Sequence, residues 1–124
     1  VMQSYEKLNL FEHVYFEDSY VVSIEANETR VEFRLELVLN REHKKYAEPR
    51  NGEQYCYAPA ILKFENASSI NWKRISMNGS IDKDKQIDFG NVDTLLFDAD
   101  TFLIAGGWGE VVMMNAEVEL VFLD

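Results

Sequence analysis

The sequence predicts a mainly β domain, an antiparallel β-sandwich or partly closed barrel of about seven or eight strands, with one short N-terminal helix. Three observations predict it. Val31, Phe33, Leu35, Leu37 and Leu39 alternate with Glu32, Arg34, Glu36, Val38 and Asn40, the period of a strand with one face on a core and the other in water. Short apolar runs recur through the rest of the chain, separated by polar or glycine-bearing turns. Those runs are rich in β-branched and aromatic residues, which suit a pleated, half-buried surface.

The elements follow in order. Tyr5, Leu8 and Phe11 recur within Ser4 to Phe11, and this spacing predicts a short helix lying as a lid on a sheet. From Val14 the period becomes two, with Tyr20, Val22 and Ile24 alternating with Val21, Ser23 and Glu25. The polar Ala26-Asn27-Glu28-Thr29 is a hairpin connection into the Val31 to Leu39 strand. Arg41 to Gln54 has no apolar period and carries Arg41, Lys44, Lys45, Pro49, Arg50 and Gly52, so it reads as a long loop, a kind that often carries function. Tyr55 to Glu65 returns to strand, with Tyr57, Ala60, Leu62 and Phe64 as core candidates and Pro59 marking an edge or bulge. Ile70, Trp72, Ile75 and Met77 predict a further strand ended by Asn78-Gly79, followed by the polar Ser80 to Gly90. Val92 to Phe97, Thr101 to Ala105, Glu110 to Met114 and Ala116 to Leu123 are four apolar segments that complete the domain. Val118, Leu120 and Phe122 alternate with Glu119, Val121 and Leu123, so the last strand is expected to be covered on both faces.

The 124 residues fit one domain spanning 1–124, long enough to bury a core without disulfides. Twenty-two acids against 12 bases give a formal charge of −10. That balance disfavours nucleic acid and anionic membranes, which need clustered Lys and Arg, and leaves room for a basic protein partner, a cation, or a charge that only keeps the chain soluble. Cys56 is the only cysteine, which excludes an intrachain disulfide and a multi-cysteine zinc site and leads us to expect a reducing, cytoplasmic setting. Val1 to Leu10 contains no apolar h-region, so no secretory leader is expected in that stretch.

The chemistry-bearing residues point to binding more than to catalysis. Lys85 is the last basic residue, and Asp88, Asp93, Asp98, Asp100, Glu110, Glu117, Glu119 and Asp124 follow it. If they share a face, their field steers a basic partner, unless Arg30, Arg34, Lys63 or Lys73 cross from neighbouring strands to neutralise it. Gly106-Gly107-Trp108-Gly109-Glu110 lacks phosphate-loop spacing. It is either an interface anchor or a turn with Trp108 packed over the core. The candidate partner-binding residues are therefore Asp98, Asp100, Trp108 and Glu110.

Asp82, Asp84 and Asp88 lie loosely like calcium ligands, but Ile87 stands where an EF-hand loop needs glycine and Asp93 where it needs glutamate. No metal and no cofactor is expected. His13 and His43 are the only histidines, Ser19 is not in a GxSxG turn, and Cys56 lies between Tyr55 and Tyr57. No nucleophile, base and oxyanion site assemble from these, so no catalytic residue is assigned. Tyr46, Tyr55, Tyr57 and Trp72 either line a sugar or small-ligand groove or fill the core and its rim.

Glu17-Asp18-Ser19-Tyr20-Val21, running into the long strand from Val31, and the later Leu62-Lys63-Phe64-Glu65 resemble motifs of small bacterial immunity proteins of polymorphic-toxin systems. The resemblance covers about half of the chain and carries over no catalytic residue. It implies a cytoplasmic inhibitor that binds one cognate toxin. Together these readings favour a non-catalytic acidic module that occludes a basic toxin-like protein. The alternatives are a self-associating β module, a homo-oligomer paired through a strand edge, and a small-ligand or sugar-binding sandwich.

Overall fold

A computed structural model describes residues 1–75, 80–81 and 87–123. The strands are β1 (Gln3–Ser4), β2 (Val14–Ala26), β3 (Val31–Leu39), β4 (Cys56–Glu65), β5 (Ser69–Ile75), β6 (Ser80–Ile81), β7 (Ile87–Asp88), β8 (Val92–Phe97), β9 (Thr101–Gly106), β10 (Gly109–Met114) and β11 (Glu117–Phe122). A five-stranded sheet, β1-β8-β9-β10-β5, packs on a four-stranded sheet, β11-β4-β3-β2, and β6 pairs with β7. The two large sheets are antiparallel throughout. They form a sandwich rather than a closed barrel. One corner is stitched: Tyr20 bridges Asn91, and the Val21 N–H donates to the Gly90 carbonyl at 2.9 Å.

β3 is built as its alternation dictates. Val31, Phe33, Leu35 and Leu37 are fully buried, while Arg34 is exposed and Glu32 and Glu36 are half-buried on the outer face. Ala60, Leu62 and Phe64 of β4 complete this half of the core. From the other sheet come Val92, Leu95, Ile104, Val111 and Met113. Phe33 lies 4.9 Å from Trp108, and Phe64 lies 5.2 Å from Phe102, centroid to centroid, across the sandwich. Burying such rings supplies most of the driving force for the fold.

Five local expectations are corrected. The N-terminal segment is two single 3-10 turns, Tyr5–Lys7 and Asn9–Phe11, instead of one helix. Tyr5, Leu8 and Phe11 stand at intervals of three, the 3-10 repeat rather than the α repeat of 3.6. Tyr5 and Phe11 are buried as the lid reading required.

The alternation Tyr20, Val22, Ile24 does not set one face of β2. Val21 is buried, whereas Tyr20 and Val22 are exposed. Phe16 to Ser19 stand opposite Leu37 alone, and a second register shift falls between Val21 and Ser23. Such bulges switch which side chains point inward.

Tyr57 faces outward, because Cys56 and Ala60 take the inward positions around it. β4 lies between β3 and β11, not at an edge, yet Pro59 fits there. Its carbonyl accepts from the Leu123 N–H at 3.0 Å, beyond the last paired residue, Ala60. The missing proline N–H faces that same side, where it forfeits one bond at the end of the β4–β11 ladder. Finally, β11 is an edge strand with Glu117 and Glu119 exposed, so it is covered on one face only. Charges on an edge discourage pairing with another chain.

Arg41 to Gln54 forms turns and irregular backbone, as expected. Met77, Asn78, Gly79, Asp82 and Asp84 lie outside the described residues.

Ser19 fixes the large bulge of β2. It is fully buried; its hydroxyl donates to the Tyr15 carbonyl at 2.7 Å and accepts from the Val38 N–H at 2.9 Å. Ser19→Ala strands the Val38 donor without a partner and is expected to cost about 1–3 kcal/mol. A urea titration checks this, and an unchanged midpoint would count against the role.

Candidate functional site

The bulge shapes the outer face of the four-stranded sheet. There, under the long loop, opens a cleft of about 870 Å³. Its floor is set by Tyr20, Glu36, Tyr57 and Pro59, and Asp18, Arg50, Glu53 and Tyr55 stand around it. The strand register explains the floor. Tyr20 of β2 faces Glu36 of β3, which faces Pro59 of β4, so the three form one cross-strand row. Tyr57 faces Val38 in the next row.

The tyrosines form one cluster. The Tyr20 and Tyr57 rings lie 5.4 Å apart with planes tilted by 32°, and Tyr55 meets Tyr57 edge-on at 6.2 Å. Burial pushes the Tyr57 phenol up to about 12, helped by a hydrogen bond to Tyr20 and by the charges of Tyr20, Glu53 and Asp18. The negative charge of Asp18 is the main cause of the upward shift of Tyr55, whose hydroxyl also donates to that carboxylate. Both phenols therefore stay neutral under ordinary conditions and present unionised π faces.

The acidic balance is local as well as global. Among the described residues, Asp18, Glu36 and Glu53 border the cleft against one cation, Arg50. Carboxylates beside aromatic faces are the chemistry that holds an organic cation.

A chain of contacts through the core sets the position of Asp18. The Trp108 indole N–H donates to the Asn91 carbonyl at 3.2 Å. The Asn91 side chain donates to the Glu17 carbonyl at 2.7 Å, within the bulge. From the other side the Tyr5 hydroxyl donates to the Glu17 carboxylate at 2.6 Å. The glycines around Trp108 serve this packing. A Cβ on Gly106 would fall on the Asn91 carbonyl oxygen and the Trp108 indole, and Gly109, at φ +149°, would press one onto the Arg74 carbonyl. Arg74 in turn donates to the carbonyls of Gly106 and Gly109 at 2.9 and 3.4 Å.

The residues expected to bind a partner sit elsewhere. Trp108 is 1% exposed. It is a core residue and offers no interface anchor, which corrects the first of the two readings of the glycine-rich segment. Asp98 belongs to the β8–β9 turn, where its carboxylate accepts from the N–H groups of Asp100 and Thr101 at 3.2 and 3.0 Å. The Asp100 N–H is the largest cause of the downward shift of its pKa. Asp100 accepts from the Thr101 hydroxyl at 2.9 Å.

Glu110 lies beside the next turn, across from Ala105 and Arg74. The six residues of β9 separate the two turns, roughly 17 Å at the strand rise. The three acids therefore do not share a site. Some of the other acids are offset as anticipated, with Glu119 standing opposite Lys63.

Tyr55 and Tyr57 do line a groove, whereas Tyr46 and Trp72 pack against the core. His43 rests on Phe122 at 5.2 Å, and its Nδ1 accepts from the Lys45 N–H at 3.0 Å. Burial, then the nearby His13, Lys44 and Lys45, lower its pKa. Among the described residues no group of three or more His, Cys, Asp or Glu is placed to hold a metal. No described helix is long and apolar enough to cross a membrane.

Fold and site together define a two-sheet antiparallel sandwich with an acidic, tyrosine-lined cleft on one outer face. No protein-family model, no curated protein and no solved structure matches the chain.

Proposed function

We propose that the protein is a non-catalytic binding module that receives a basic segment of a partner protein in the Tyr20–Tyr57 cleft. The observation that carries this reading is the composition of the cleft among the described residues: paired neutral tyrosines with three carboxylates against one guanidinium. The net charge of −10 adds long-range steering toward a basic surface. In its finer form the partner is a basic toxin, neutralised because the docked module covers its working surface. That form rests on the resemblance to immunity proteins and on the acidic cleft. A second reading, a neutral sugar stacked on the tyrosines, is favoured by the same aromatic wall.

Salt dependence separates the two. A fluorescently labelled peptide of alternating arginine and glycine is expected to bind at about 50 mM salt and to weaken about tenfold by about 300 mM. Arg50→Gln removes a cation from the rim and is expected to tighten that binding. An absence of binding at low salt contradicts the proposal, and salt-insensitive binding of a glycan favours the second reading.

A further inference from the structure

We infer that the cleft selects an arginine side chain of the partner over a lysine, with Glu36 receiving the guanidinium. The inference rests on the cation-binding reading of the cleft and specifies its ligand.

Glu36 occupies the middle of the floor, between Tyr20 on one neighbouring strand and Pro59 on the other. Its carboxylate is thus flanked on both sides by flat, weakly polar groups. Glu36 is half-buried, and its carboxylate makes no hydrogen bond or ion pair with another described residue. A carboxylate with no protein donor keeps both oxygens open to a donor that a ligand brings.

The geometry around it suits a planar donor. A guanidinium offers two parallel N–H groups to both carboxylate oxygens, and its weakly hydrated faces rest on aromatic rings. An ammonium is compact and strongly hydrated, so entering between Tyr20 and Pro59 would strip water for one point contact. The cation does not enter between Tyr20 and Tyr57. Their centroid separation of 5.4 Å is short of the roughly 7 Å that two ordinary contact distances require. It lies over the outer side of this pair, with its fork on Glu36. Asp18 and Glu53, both on the cleft border, then neutralise the charge from the rim.

The test uses the whole chain and two small probes, N-acetyl-arginine amide and N-acetyl-lysine amide. Each is titrated at low salt while the backbone amide resonances of Glu36 and Tyr57 are followed. The arginine probe is expected to bind at least about tenfold more tightly. Glu36→Gln is expected to erase that preference, while Glu119→Gln, exposed on β11, leaves it intact. Amide dispersion in the same spectra reports whether each variant is folded. Equal binding of both probes in the cleft overturns the arginine preference and leaves the cation-binding reading standing. Neither probe shifting the cleft resonances overturns both.

Discussion

Replacing Trp108 with alanine is expected to cost about 4 kcal/mol of stability, the range for emptying a buried tryptophan site. The side chain is 1% exposed and touches both halves of the core, with Phe33 at 4.9 Å and Trp72 at 6.3 Å between centroids. Its loss also leaves the Asn91 carbonyl without the indole donor. Domains of this size have about 5–15 kcal/mol in total, so the variant should lie near the edge of folding. Trp108→Phe gives a gentler version that keeps an aromatic ring and removes the indole N–H. It is expected to cost about 1–3 kcal/mol and to loosen the Asn91 hold on the bulge, weakening cleft binding in a protein that still folds. Urea denaturation of both variants checks the order. A loss below about 1 kcal/mol for Trp108→Ala would show that the glycine-flanked tryptophan is not the centre of this core.

The second large effect concerns binding. The triple variant Asp18→Asn, Glu36→Gln, Glu53→Gln keeps side-chain shape and removes the three cleft charges. It is expected to weaken a basic peptide about a hundredfold, equivalent to about 2.7 kcal/mol. The amide that replaces the Asp18 carboxylate still offers an oxygen to the Tyr55 hydroxyl, so the tyrosine cluster is retained. The matched triple Asp98→Asn, Asp100→Asn, Glu110→Gln also removes three charges and should change affinity less than about threefold, through the general field alone. Fluorescence anisotropy with the same labelled peptide compares them. If the second triple caused the larger loss, binding would belong to the C-terminal strands.

The contrast between these triples shows what could be read from the sequence. The β3 strand was fully legible because five inward residues alternate without interruption. The long loop was legible as irregular backbone, and a groove was one of the two readings open for Tyr55 and Tyr57. Tyr20 and Glu36 were not, because they meet only through strand pairing with a shifted register. One local signal existed: the polar run Glu17-Asp18-Ser19 interrupts apolar β2 between Phe16 and Tyr20, as a bulge does.

The acids of the C-terminal stretch do not gather at one place, for a geometric reason. Successive turns of an antiparallel meander lie at alternate ends of the sheet, so Asp98 and Asp100 at one turn are separated from Glu110 at the next. Trp108 beside three glycines looked equally suited to an anchor or to the core. The burial of Trp108 and the close approach of Gly106 to Asn91 distinguish them.

The most direct test of the cleft is the footprint of the basic peptide on the amide NMR spectrum of the whole chain. Binding in the cleft predicts shifts concentrated at residues 18–20, 36 and 50–57, fading as salt is raised. Shifts confined to residues 96–114, with the cleft silent, would contradict it.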